Sequence, residues 1–144
     1  MKNFLIILKF LKYRSFAIPF ATKSAEYQNY NSIKHQERTV KMPVYIESEK
    51  KGELTARITG EIDHHSARWL RMDIDTALND SRPELLKIDF SKVTFMDSSG
   101  VGLVMGRFKN MKPYGGRVML INMPDYIKRV MLLAGMDKLV EVQD

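Results

Sequence analysis

Phe95-Met96-Asp97-Ser98-Ser99-Gly100-Val101-Gly102 is the stretch on which the reading of the chain turns. Before it lies an apolar run, Leu85 to Phe90, which the pattern predicts as a buried strand. After it, Val101, Val104, Met105, Phe108 and Met111 recur at helical spacing and predict one buried stripe. Ser98 and Ser99 therefore stand where a loop becomes a helix. That is the one place on a helix where backbone N–H groups lack intrahelical acceptors. Gly102 and Gly106 lie four apart and are expected to clear one helix face for close packing.

The pattern continues on both sides of this stretch. Upstream, Val44-Tyr45-Ile46 is a short strand candidate and Lys50-Lys51-Gly52 reads as a turn. Leu54 to Ile58 alternates at period two, as a half-buried strand does, and Gly60 is expected to end it. Ala67, Leu70, Ile74, Ala77 and Leu78 then share one face of a first helix, capped by Asp63 or Ser66, with Trp69 and Met72 off the stripe. Downstream, Pro113 to Gly116 is a turn and Arg117 to Ile121 a strand. Pro124 opens a third helix with Ile127, Val130, Met131 and Ala134 on one face, and Gly135 suits its C-terminal cap. Leu139 to Val142 is a last short strand. Two strands followed by alternating helix and strand predict an α/β fold: a small mixed β-sheet, helices packed mainly on one side, and parallel pairing of the later strands.

The 144 residues suit one domain with a sizeable core. There are no cysteines, which excludes a disulfide framework and any thiolate ligand or nucleophile. The net charge of +6 is unevenly placed. Residues 1–41 hold eight Lys and Arg against Glu26 and Glu37, and the remainder is balanced. A basic nucleic-acid face is therefore not expected after Lys41, and no direct nucleic-acid partner is read. The apolar run Phe4 to Leu8 is far too short to span a membrane, which takes roughly 20 apolar residues. Residues 1–41 read as a disordered or spurious basic leader, with Met42 as the expected start of the domain, 42–144.

Three stretches have chemistry to weigh. Asp97-Ser98-Ser99-Gly100 is at minimum a helix cap. The same geometry accepts a phosphate, because helix N-terminal N–H groups favour an anion. A phosphate on Ser98 adds about −1.5 to −2 charges beside Asp97, so the fold survives while anything docked over the serine is repelled. Glu61-Ile62-Asp63-His64-His65 places adjacent histidines that diverge around the helix, so no metal site is read there. Glu61 and Asp63 are instead acidic groups suited to an arginine on a partner. Gly100 to Gly106 only superficially matches a dinucleotide fingerprint, since its glycines lie inside the helix rather than in the preceding turn. No Gly-Lys-Ser/Thr follows, which excludes a P-loop.

Gly60-Glu61-Ile62-Asp63-His64-His65-Ser66-Ala67, paired at this separation with the run from Phe95 to Lys109, resembles the anti-sigma factor antagonists of the STAS family, the sporulation type above all. The similarity spans Val44 to the C-terminus. It implies the STAS fold. It also implies phosphorylation of Ser98 by an anti-sigma factor that is a serine kinase using Mg-ATP. The unphosphorylated form would bind that kinase and free the sigma factor, phosphorylation would switch binding off, and a serine phosphatase would reset it. The docking face implied comprises Glu61, Asp63, His64, Asp97, Ser98, Ser99 and Gly100. The protein would be no enzyme, would need no cofactor or metal of its own, and would work in the cytoplasm without a membrane partner for residues 42–144. Such domains commonly add a final helix beyond the position of Asp144. The other reading is a non-phosphorylated STAS module of a membrane transport or lipid-trafficking assembly, prompted by the basic apolar leader.

Overall fold

The computed structural model describes residues 44–143, so the expectations for residues 1–41 lie outside the described residues. In chain order the elements are β1 (Val44–Glu47), β2 (Glu53–Ile62), α1 (His64–Ser81), β3 (Leu85–Met96), α2 (Ser98–Met111), β4 (Arg117–Ile121), α3 (Asp125–Leu133) and β5 (Glu141–Gln143). Single 3₁₀ turns at Lys112–Tyr114 and Met136–Lys138 follow α2 and α3. The five strands form one sheet in the order β1-β2-β3-β4-β5. β1 runs antiparallel to β2 and every later pair is parallel, so the sheet is mixed as expected.

Pairing register sorts the side chains onto two faces. Val44 opposite Ile58, Ala56 opposite Ile88 and Ile88 opposite Leu120 put the most deeply buried residues on one face. The stripes Ala67, Leu70, Ile74 and Leu78 of α1, Leu103, Val104 and Met111 of α2, and Ile127 and Met131 of α3 join the same core cluster. The other face is a lattice of ion pairs. Arg57 Nε meets Asp89 Oδ2 at 3.1 Å and Arg57 Nη2 meets Glu47 at 3.1 Å. Lys87 Nζ meets Glu53 at 2.6 Å, and Arg117 Nη1 meets Glu141 at 2.8 Å. The helices thus lie on one side because only that side of the sheet is apolar.

The structure departs from the sequence pattern in four places, each with a local cause. β3 runs to Met96 instead of ending at Phe90, and β2 continues through Gly60 to Ile62. Two register shifts, between Arg57 and Thr59 and between Gly60 and Glu61, break the period-two alternation along both strands. Gly60 adopts φ +89°, which bends the strand rather than ending it. On α2 the buried positions include Leu103 and Arg107, while Val101, Met105 and Phe108 only flank the core. Gly102 and Gly106 have open space where a Cβ would be. The close approach is at Gly100, where a Cβ would overlap the Met96 side chain. Ala134 is exposed, because α3 ends at Leu133 and the backbone turns at Gly135 with φ +72°.

The ion-pair face makes stability pH-dependent. Burial alone would push the Asp89 carboxyl up. Hydrogen bonds from Ser91, Arg57 and Asn122 outweigh it and hold the group below its ordinary value. A depressed carboxyl contributes stability above its unfolded value, about 3.9, and that stability is lost as pH falls through the folded value. The chain is therefore expected to lose stability below about pH 4, and Asp89→Asn to flatten that acid slope while lowering stability at neutral pH. Urea midpoints of both proteins from pH 2 to 7 check this, and parallel pH profiles would count against it.

Candidate functional site: two helix starts on neighbouring strand ends

β2 and β3 end side by side, with Ile62 opposite Met96, and each feeds a helix after one residue. That residue is an aspartate in both cases. Asp63 caps α1 and Asp97 caps α2, both in extended backbone. Asp63 Oδ1 accepts from the Ser66 N–H at 2.7 Å, and the Asp63 N–H donates to Ser66 Oγ at 2.9 Å. Ser66 Oγ also donates to the Glu61 carbonyl at 2.8 Å. This closed box explains why the Asp63 carboxyl sits below its ordinary range, with the bond from the Ser66 backbone as the main cause. On α2, Asp97 Oδ1 accepts from the Ser99 N–H at 2.7 Å, and the Asp97 carbonyl accepts from Gly100 N–H at 3.1 Å. The two starts are tied together by the Asp97 N–H donating to the Ile62 carbonyl at 3.1 Å.

Ser98 is the first residue of α2 and is exposed. Its hydroxyl makes no hydrogen bond with another described residue. Neither folding nor capping uses it, so it is free for chemistry at the surface. Ser99 is half-buried, and its backbone serves the cap. Gly100 is buried and packs closely against the Met96 side chain. Glu61 and His64 are exposed and flank Asp63. The structure therefore brings Glu61, Asp63, His64, Asp97, Ser98 and Ser99 to one end of the sheet. Three of them are carboxylates, and Ser98 is an exposed hydroxyl on the same end.

The pattern of the sequence did not disclose the neighbours of this end. Phe95 is exposed beside it, opposite Glu61 in the ladder. Tyr126, from the first turn of α3, reaches the Val93 carbonyl with its hydroxyl at 3.5 Å. Nothing local marks Tyr126, since only the fold brings α3 to the end of β3. Among the described residues no group of histidines and acids is arranged to hold a metal ion. A shallow cavity of 290 Å³, lined by Phe108, Val118, Leu139 and their neighbours, lies at the opposite end of the sheet, where β4 and β5 begin. None of the candidate residues at the serine end lines that cavity.

An apolar helix layer on a mixed sheet, with two capped helix starts at adjoining strand ends, makes a small α/β domain. The chain belongs to the STAS domain family, whose model matches residues 45–144. It is 32% identical over 104 residues to the anti-sigma F factor antagonist of Paenibacillus polymyxa, covering 72% of this chain and 89% of that protein. Identity to the anti-sigma-B factor antagonist of Bacillus subtilis (strain 168) is 29% over 94 residues, covering 65% of this chain and 84% of that protein. Among solved structures, the anti-sigma factor antagonist SpoIIAA in its unphosphorylated form matches with a TM-score of 0.62 at 30% identity, over 70% of this chain and 88% of that one. SpoIIAA of Bacillus in its phosphorylated form matches with a TM-score of 0.58, also at 30% identity, over 70% of this chain and 91% of that one.

Proposed function

We propose that this protein is an anti-sigma factor antagonist switched by phosphorylation of Ser98. The unphosphorylated form binds an anti-sigma factor that is a serine kinase, and so frees the sigma factor. The kinase uses Mg-ATP to modify Ser98, the complex dissociates, and a serine phosphatase restores the binding form. The protein acts in the cytoplasm, in the sporulation branch of this regulation, as a kinase substrate and binding module with no catalytic role of its own.

One observation carries the reading: Ser98 is an exposed hydroxyl that bonds to no described residue, set at a helix start on the same sheet end as Glu61, Asp63 and Asp97. Kinases need such a hydroxyl within reach, and the helix N-terminus accommodates the new anion. The surrounding Glu61, Asp63 and Asp97 make the surface a match for arginine on the partner. A phosphate at its centre changes the local field by about −1.5 to −2 charges without entering the core. That converts a covalent change of one side chain into a change of affinity. The names of the relatives add support, since two of the matching solved structures are the two phosphorylation states of one such antagonist.

The test is incubation of the purified chain with the anti-sigma kinase of the same genome and Mg-ATP, followed by intact mass and fragmentation. One phosphate on Ser98 is expected. An unmodified chain, with the kinase active on another substrate, would overturn the reading.

A further inference from the structure

Arg107 is the anomaly of the core. It is 3% exposed, on the inner face of α2, among apolar side chains. Its Nη2 donates to Asp75 Oδ2 on α1 at 2.9 Å. Its Nε and Nη1 are buried and have no acceptor, and the Nε of the neighbouring Arg71 is in the same condition. Burial, and the charge of Arg71, pull the Arg107 guanidinium below its ordinary range against the opposing pull of Asp75. An apolar residue would fill this position at no cost in buried donors. The arginine is therefore a poor choice for stability alone.

What it does supply is direction. Asn110, one turn further along α2, donates to the other oxygen of the same carboxylate, Asp75 Oδ1, at 3.1 Å. Two successive turns of α2 thus grip one side chain of α1 at both its oxygens. Apolar contact is non-directional and fixes axial position less sharply than a hydrogen bond does. On α2 the core side chains are Leu103, Val104 and Met111, with Met105 packed beside them. The methionines adapt to more than one packing, so that part of the contact does not single out one axial offset. Hydrogen bonds to two oxygens of one carboxylate cannot slide. The starts of α1 and α2 are the two halves of the candidate site, capped by Asp63 and Asp97.

We propose that Asp75, Arg107 and Asn110 form a register lock that fixes the axial offset of α1 against α2, and with it the relative placement of the Asp63 and Ser98 ends that the partner reads. The lock's purpose rests on the function proposed above; its geometry does not. Arg107 and Asp75 are positioning residues and touch no partner.

The chain has no cysteine, so pairs of spin labels can be placed at will. Labels at Asp80→Cys, in the last turn of α1, and Gly102→Cys, in the first turns of α2, report axial sliding, and both positions are exposed. Pulsed electron–electron distance measurements are made on the otherwise native chain, on Asn110→Ala, and on Asp75→Leu/Arg107→Met. The native lock is expected to give one narrow distance. Both variants are expected to broaden or shift it, with the double variant melting close to the native chain. In the double variant the efficiency of Ser98 phosphorylation is expected to fall about 10- to 100-fold, since a displacement of about 1 Å is enough for that. A narrow, unshifted distance in Asn110→Ala or in the folded double variant would overturn the lock. So would undiminished phosphorylation of a double variant whose distance has moved. Absence of phosphorylation in the native chain would strike the proposed function instead, leaving the distances to decide the lock.

Discussion

Ser98→Asp is expected to weaken binding to the anti-sigma kinase at least about 100-fold, while Ser98→Ala binds as tightly as the unmodified chain and no longer responds to Mg-ATP. A factor of 100 corresponds to about 2.7 kcal/mol. The site gives reason to expect that much. A carboxylate at residue 98 joins Glu61, Asp63 and Asp97 on one surface, and in the complex these charges lose the water that screens them. The fold should notice neither change. Ser98 is exposed, its hydroxyl bonds to no described residue, and Asp97 performs the capping. Surface substitutions of that kind stay within about 0.5 kcal/mol. The two variants should therefore separate in calorimetric titration against the nucleotide-bound kinase while their melting curves superimpose. Equal affinities for both variants and the unmodified chain would remove Ser98 from the interface.

Asp75→Ala is expected to destabilise the domain by about 3 kcal/mol, the largest effect of any single polar substitution described for this chain. The cause is the arginine left behind. With Asp75 gone, Arg107 keeps its charge in the core with no acceptor on any of its nitrogens among the described residues, and Asn110 loses its partner too. Asp75 itself is about one-third exposed, which lets water partly relieve the stranded cation and keeps the cost from rising further. Replacing both partners with apolar residues removes the charge and its penalty together, so Asp75→Leu/Arg107→Met should recover most or all of the loss. Chemical denaturation of the two single variants and the double variant gives the coupling directly. Purely additive losses would show that the pair is not energetically linked.

The acid-sensitive face and the buried pair act at different places in the same fold. Asp89 ties β3 to Arg57 on β2 and to Asn122 after β4, at the point where the strands leave their regular register. It therefore anchors the base of the arm whose tip holds Ile62 and Met96. Asp75, Arg107 and Asn110 anchor the helices that leave that tip. Sheet and helix layer are thus each pinned by polar contacts, and the site lies where the two layers meet.

Local sequence determined a good deal. The order of elements, the stripe of α1, the turn at Gly52 and the helix start at Asp97 each follow from period, caps and glycine placement over a few residues. The exposed serine at that start and the acidic pair Glu61 and Asp63 could be read for the same reason, because helix capping is a local matter. What only the tertiary structure decided are the features that depend on residues far apart in the chain. The length of β3 comes from register shifts against β2, which destroy the alternation that would announce a strand. The buried face of α2 includes Arg107, whose carboxylate partner, Asp75, lies 32 residues away on another helix. Gly100, and not Gly102 or Gly106, is the glycine that packing requires, because Met96 lies over it. The site itself is a product of pairing: the Ile62–Met96 register and the bond from Asp97 to the Ile62 carbonyl bring two separately legible helix caps to one surface. Caps, turns and stripes are fixed by energies between near neighbours, so the sequence states them. Register and burial are fixed by contacts that exist only once the sheet has closed.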